Sequence, residues 1–269
     1  NKKLFRVLEN KPLKHLIPST KYFIYKNWLK LDSLKQANQF KNDIIVNHSD
    51  SKYAAILLDP KTALSTGKNA VEVYEKLYIK YNQQDYIEVI EECNKNILNF
   101  NGEPIVTKFE FLKALAIARA YGIKEYEKAL NFIKLNYSNT LEGKEAEIIL
   151  SELLPQLKND KFSKNKNSDN YKIVYQFDTK SIDLISNQIN DLKQYIDKID
   201  YLDLRVSKDF YNNIITFVIV HGLKSYDGSV GLTERLEKFI DIQADSFFVI
   251  SSDNYKTIQI HKNLEKFEN

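Results

Sequence analysis

The residue types that do chemistry are sparse in this chain. His15, His48, His221 and His261 are its imidazoles and Cys93 is its one thiol. Histidines this far apart show no metal-ligand spacing. A single cysteine allows neither an intramolecular disulfide nor a cysteine-based zinc cluster. Ser251-Ser252-Asp253 sets hydroxyls beside a carboxylate, the material of a nucleophile. The same residues before an apolar periodic run are what a helix N-cap needs, and that is the simpler reading. Asp200 and Asp203 could work as paired carboxylates, but a turn and a solvated face account for them better. His221-Gly222 closes a β-branched run, where a lone histidine reads as polar surface. Cys93 shares an apolar face with Val89 and Ile90, so it reads as a packed thiol rather than a reactive one. The 7 glycines form neither a GxGxxG nor a P-loop, and no GxSxG elbow occurs. These residues point to a chain that is not an enzyme and takes no cofactor and no metal. A hydrolase or transferase using loop carboxylates is the alternative, and it requires paired carboxylates in a pocket.

The elements that would position such residues are easier to read. With 269 residues the chain is long enough for two domains, and its 43% hydrophobic and 28% charged residues fit a folded protein. Lys+Arg 39 against Asp+Glu 36 gives a net charge of +3, a mixed surface rather than a nucleic-acid footprint. No signal peptide and no long uncharged apolar run is visible.

The first part repeats itself. YNQQDYIEVIEECNKNI from Tyr81 aligns without gaps on YGIKEYEKALNFIKLNY from Tyr121, an offset of 40 residues. Tyr81 meets Tyr121, and Tyr86 meets Tyr126. Each segment follows another helical-period run, so the unit reads as helix, short turn, helix. NHSDSKYA (47–54) and NYSNTLEG (136–143) form a second echo, each after an apolar helix. LLDPKTALSTGKNA (57–70) breaks the period at Asp59-Pro60 and Gly67 and reads as a loop. The block resembles tetratricopeptide repeats (TPR) through Tyr121, Gly122, Tyr126 and Ala129, with longer turns. The expected organisation is a TPR-like helical repeat domain over 1–157, a linker over 158–170 and an α+β domain over 171–269. Aromatic residues in the repeats read as core packing; Tyr22, Tyr25 and Trp28 are the candidate protein-binding residues.

KNDKFSKNKNSDN (158–170) holds one apolar residue, Phe162, and reads as a flexible tether. The period then changes to two. Tyr171, Ile173, Tyr175 and Phe177 predict a strand with one covered face. A helix follows from an N-cap at Ser181. Leu202, Leu204 and Val206 predict a second strand. Asn212-Asn213 suits a turn with φ > 0, and 213–220 reads as a central strand. A helix through Leu232 and Leu236 leads to SFFVIS, a strand expected inside the sheet beside the first one. A last helix would carry Tyr255, Ile258, Leu264 and Phe267. The order β-α-β-β-α-β is that of a ferredoxin-like, split βαβ domain. Such a domain with an open sheet face could hold peptidoglycan through Lys172, Gln176, Arg205 and Thr216.

The ending FFVISSDNYKTI…NLEKFEN, with Val249, Ile250, Ser251, Asn254, Tyr255, Leu264 and Phe267, resembles the PorW/SprE family of Bacteroidota lipoproteins. SKYAAILLDP (51–60) resembles a second passage of that family. The resemblance implies a periplasmic scaffold of the type IX secretion and gliding motility machinery, anchored to the outer membrane through a lipid-bearing cysteine upstream of Asn1. Its partners would be other secretion-machine subunits and the outer-membrane translocon, with no nucleic acid. It implies no catalysis and no cofactor.

Overall fold

The computed structural model describes residues 2–9, 16–163, 168–199 and 203–268, with the backbone alone at 16, 60–69 and 268. The chain opens as paired antiparallel helices: α1 (Lys2–Glu9), α2 (Leu16–Lys30), α3 (Leu34–Asn47), α4 (Lys52–Leu58), α5 (Pro60–Asn82), α6 (Tyr86–Asn99), α7 (Val106–Tyr121), α8 (Ile123–Asn136) and α9 (Leu141–Ile148). A π-helical turn, Ile149–Leu153, joins α9 to α10 (Leu154–Lys158). An α+β region follows: β1 (Tyr171–Asp178), α11 (Ile182–Lys198), β2 (Arg205–Phe210), β3 (Ile215–Leu223), α12 (Tyr226–Phe239), β4 (Ser246–Ser251), α13 (Ser252–His261) and α14 (Glu265–Glu268).

The helical region is repeat-like, but the period of its matching helices differs from the sequence offset. Helices α6 and α8 each have 14 residues, and both ends are 37 apart (123 − 86 and 136 − 99). Tyr86, Val89, Cys93 and Asn96 are buried on α6, and Ile123, Tyr126, Leu130 and Ile133 on α8, both at 3-4-3 spacing. The turn explains the slip. Residues 83–85 connect α5 to α6, whereas Gly122 alone connects α7 to α8. Tyr126 therefore enters its helix a turn later than Tyr86 enters its own, and Tyr121 stands exposed where Tyr81 is half-buried. The second echo holds residue by residue. Ser51 caps α4 by accepting from Ala54 N and donating to His48 O; Thr140 caps α9 by accepting from Gly143 N and donating to Tyr137 O. Both satisfy an otherwise orphaned amide of the first helical turn.

The expected loop at 57–70 is helix instead. The break is confined to Asp59, and Pro60 opens α5, where its missing N–H costs no helical bond. Gly67 is carried inside a 23-residue helix, which outweighs its penalty of about 1 kcal/mol.

Contacts divide the chain into two compact units, Asn1–Lys76 with Asn96–Val106, and Leu77–Lys95 with Thr107–Asn269. The second unit carries α7 to α10 together with the whole sheet. That sheet is antiparallel with strand order β2-β3-β1-β4. One face buries Ile173, Tyr175, Phe177, Val218 and Val220 under Ile185, Leu192 and Ile196 of α11 and Leu232 and Leu236 of α12. The other face is covered as well. Val174, Phe217, Ile219 and Ile250 pack against Tyr255 and Ile258 of α13 and against Leu264. Strand β1 thus has two covered faces, not one.

Four further expectations are corrected. Strand β4 lies beside β1 but at the sheet's edge, with Ser246 and Phe247 exposed and Ile250 and Ser251 buried. Its apolarity serves the two faces, not a central position. The turn before β3 needs no positive φ, because the Asn212 carboxamide oxygen accepts from Ile214 N (2.8 Å) and Ile215 N (2.7 Å). Lys262, at φ 49°, ends α13, so Leu264 and Phe267 belong to a separate last turn. Finally, the described part of the 158–170 segment is held down. Phe162 packs 5.8 Å from Phe267, and Ser163 N donates to Asn254 Oδ1 at 2.7 Å. Leu202 and Asp200 lie outside the described residues.

Candidate functional site

Three places gather functional side chains. The first is a groove on the second unit's helices. Ile90 of α6, Ile117 and Tyr121 of α7, and Ala129 and Phe132 of α8 line an open groove of about 590 Å³. Ion pairs Lys113–Glu110 and Lys128–Glu125, both 2.6 Å, lie along it. Tyr121 is 48% and Phe132 47% exposed, which is high for aromatics on helices whose opposite stripe is fully buried. The two buried 3-4-3 stripes leave Ile90 of α6 and Ala129 and Phe132 of α8 off the buried face, so for these three the sequence contained that signal.

The second place is the polar end of the sheet's α13 face. Alternation sends Arg205, Ser207 and Asp209 of β2 to that face, with Lys172 of β1 and His221 of β3. His221 bridges two strands: Lys172 Nζ lies 3.1 Å from Nδ1, and Ser207 Oγ lies 2.7 Å from Nε2. Burial, then Lys172 and Arg205, push the imidazole down to about 4, so it is neutral near pH 7. The Ser207–His221 spacing is that of a nucleophile–base pair, but the third partner has the wrong polarity. An ammonium at Nδ1 must donate there, so Nε2 carries the proton and donates to Ser207. The imidazole then has no lone pair to accept the serine proton, unlike an imidazole oriented by a carboxylate. His221 is therefore a half-buried bridge rather than plain surface. Its role was missed because Lys172, Ser207 and His221 meet only through the strand register.

The third place lies next to it. Asp209 Oδ2 accepts from Tyr255 OH at 2.6 Å and from Gln259 Nε2 at 3.3 Å, and Arg119 Nη2 of α7 is 3.9 Å from Oδ1. Arg119 Nε donates to Tyr86 OH at 3.2 Å. Lys262 Nζ donates to Gln259 Oε1 at 2.8 Å and sits 4.8 Å from the Tyr211 ring. Burial lowers Lys262 to about 7, against the pull of Asp209 and with the push of Arg119. Gly122, at φ +83°, allows this approach: a Cβ there would lie 2.8 Å from Ile260 O and 2.9 Å from Lys262 Cγ. Gln84, at φ 70°, completes the junction. Its carboxamide donates to Lys208 O (3.0 Å) and accepts from Phe210 N (2.7 Å), capping the free edge of β2.

Tyr22, Tyr25 and Trp28 lie half-buried on α2 in the first unit. Tyr22 packs 5.0 Å from Tyr53 and 5.9 Å from Tyr25. Tyr53 lines a cleft of about 830 Å³ with His48, Lys52 and Leu98. Cys93 is fully buried, and burial pushes its thiol up to about 12. Asp203 is exposed and pairs with Lys224 at 3.4 Å. Ser251 is an N-cap, accepting from Asn254 N at 3.4 Å. Of the residues expected on an open sheet face, Gln176 and Thr216 are buried and point to opposite faces; Lys172 and Arg205 remain accessible from a cavity. His15 lies outside the described residues. Among the described residues no group of three His, Cys, Asp or Glu side chains is placed to hold a metal ion, and no helix is long and apolar enough to cross a membrane.

No protein-family profile matches the chain, and no curated protein sequence matches it.

Proposed function

We propose that this chain is a non-catalytic protein-binding scaffold whose helical hairpins grip a partner through the groove of α6, α7 and α8. The observation that carries the reading is the pairing of exposed Tyr121 and Phe132 with fixed charge pairs, Lys113–Glu110 and Lys128–Glu125, along one open groove. Apolar anchors set among oriented charges give a partner segment both affinity and register. The equivalent α6 and α8, and the matching caps at Ser51 and Thr140, support a TPR-like repeat. The β-α-β-β-α-β order with α11 and α12 on one face of a β4-β1-β3-β2 sheet supports the ferredoxin-like name for the α+β region.

The resemblance to PorW/SprE lipoproteins supplies the setting: a periplasmic link, anchored to the outer membrane, between secretion-machine subunits and the translocon of the type IX system. Crosslinking from native envelopes followed by mass spectrometry tests it. Crosslinks from the groove to outer-membrane translocon subunits support the reading, and their loss in Phe132→Asp supports the groove. Exclusive recovery of cytosolic proteins refutes it. The second reading, peptidoglycan binding by the α+β region, retains Lys172 and Arg205 but loses the open sheet face that it needs, because α13 covers it. Retention of the full chain on purified sacculi, abolished by Arg205→Gln, is the result that would favour it.

A further inference from the structure

At the polar end of the sheet a cavity of about 500 Å³ opens where Arg205 of β2 stands opposite His221 of β3. We propose that this cavity binds an oxyanion group of the phosphate class, held by the Arg205 guanidinium and the Lys172 ammonium. This inference stands whichever reading of the protein's wider role is correct.

Three observations converge on it. First, cations outnumber carboxylates in the lining, three against two. Lys172, Arg205 and Lys224 line the cavity against Asp169 and Asp203, and Asp203 is already engaged by Lys224 at 3.4 Å. Among the described residues no ion pair reaches Arg205. Lys172 is lowered from the ordinary lysine value by burial first and by Arg205 second, so the two charges repel across the site. An anion between them would relieve that repulsion.

Second, the hydrogen bonds have one direction. Lys172 donates to His221 Nδ1, and His221 Nε2–H donates to Ser207 Oγ. Of the two ends, Lys172 and Ser207, only Lys172 lines the cavity, and its remaining N–H groups are the donors offered to a ligand. A neutral imidazole between them transmits polarity without adding a charge that must be balanced. At the cavity Lys172 and Arg205 can only donate, which suits an acceptor-only ligand such as phosphate.

Third, the backbone is built to hold the cations at the site. Gly222 has φ +92°, and a Cβ there would collide with the Asp203 carbonyl. That close approach brings the entry of β2 against the bulge between β1 and β3, where the register jumps from Ile173↔Val220 to Tyr171↔Leu223. Lys172 and His221 sit at that irregularity, so the bulge aims both side chains to one side.

The test is an NMR titration of the intact chain, following the His221 imidazole resonances at constant ionic strength with chloride as the balancing ion. Inorganic phosphate and glycerol phosphate are the probes. Saturable shifts at His221 are expected, with Kd on the order of 1–10 mM. Tighter binding of glycerol phosphate than of phosphate would assign the group to a phosphate ester; equal binding would assign it to the free ion. Arg205→Gln should weaken binding about tenfold, worth about 1.4 kcal/mol. Arg205 is exposed, so this variant should fold. The exposed Lys161→Gln should bind as the parent does. Linear, non-saturating shifts with both probes, or equal binding by parent and Arg205→Gln, would overturn the proposal.

Discussion

Lys262→Met should make the protein more stable at pH 6 and remove a rise in stability that the parent shows from pH 7 to pH 10. Lys262 is half-buried beside Tyr211 and held near 7 rather than the usual 10.5. Its folded value is depressed, so the sign follows directly. Below pH 7 folded and unfolded chains both carry the proton, and the folded state bears the whole cost of burying the ammonium. Between 7 and 10.5 the unfolded chain holds a proton that the folded chain has released, so stability climbs with pH. At about 1.4 kcal/mol per pH unit the full cost is at most about 5 kcal/mol. Partial solvent contact reduces it to about 2–4 kcal/mol. Methionine keeps the apolar stem over Tyr211 and loses the bond to Gln259 Oε1, worth about 1 kcal/mol. The net gain at pH 6 is then about 1–3 kcal/mol, shrinking to nothing or a small loss by pH 10. Urea unfolding of both proteins across that range measures it. Cys93 and the buried tyrosines titrate in both proteins alike, so the difference between the curves isolates Lys262. A difference that does not change with pH would refute the reasoning, because the desolvated ammonium would then not be the source.

Gly122→Ala should cost about 2–4 kcal/mol, since φ +83° is strained for alanine and the added methyl meets Ile260 O at 2.8 Å; urea midpoints measure it, and a change under 0.5 kcal/mol (about the size of a bland surface substitution) would contradict the close approach. Gln84→Ala uncovers the edge of β2 by removing both carboxamide bonds, at a cost of about 1–2 kcal/mol, and should accelerate hydrogen exchange at the Phe210 amide while leaving amides of β1 protected. Cys93, pushed up to about 12, should resist a thiol-specific disulfide reagent at pH 8 in the folded protein and react at once in denaturant. His221, lowered to about 4, contributes stability that is complete above pH 6.5 and lost as pH falls through 4; its ring protons should titrate there by NMR, well below an exposed histidine.

Which features the sequence could disclose follows from the range of the interaction behind each. Caps are local: Ser51 and Thr140 need only the helix three residues ahead, and their echo was visible as a residue pattern that the structure reproduces bond for bond. Strand alternation is equally local, so Tyr171, Ile173, Tyr175 and Phe177 declared a face at once. The second covered face did not show, because Val174 sits between Lys172 and Gln176, and polar neighbours hide a position that only α13 buries. The repeat offset misled for a related reason. Aromatic identity aligned Tyr86 with Tyr126, but helix phase is set by turn length, and one glycine in place of three residues moved the second helix relative to its tyrosine. The polar clusters were furthest from view. Asp209, Tyr255, Gln259, Lys262 and Arg119 come from three separate elements, and none carries a motif. What joins them is Gly122, whose missing side chain lets α7 and α8 meet the end of α13. Read in the sequence it was a repeat consensus residue; in the fold it is also the point where helical region and sheet region become one unit, which is why its substitution should be felt in both.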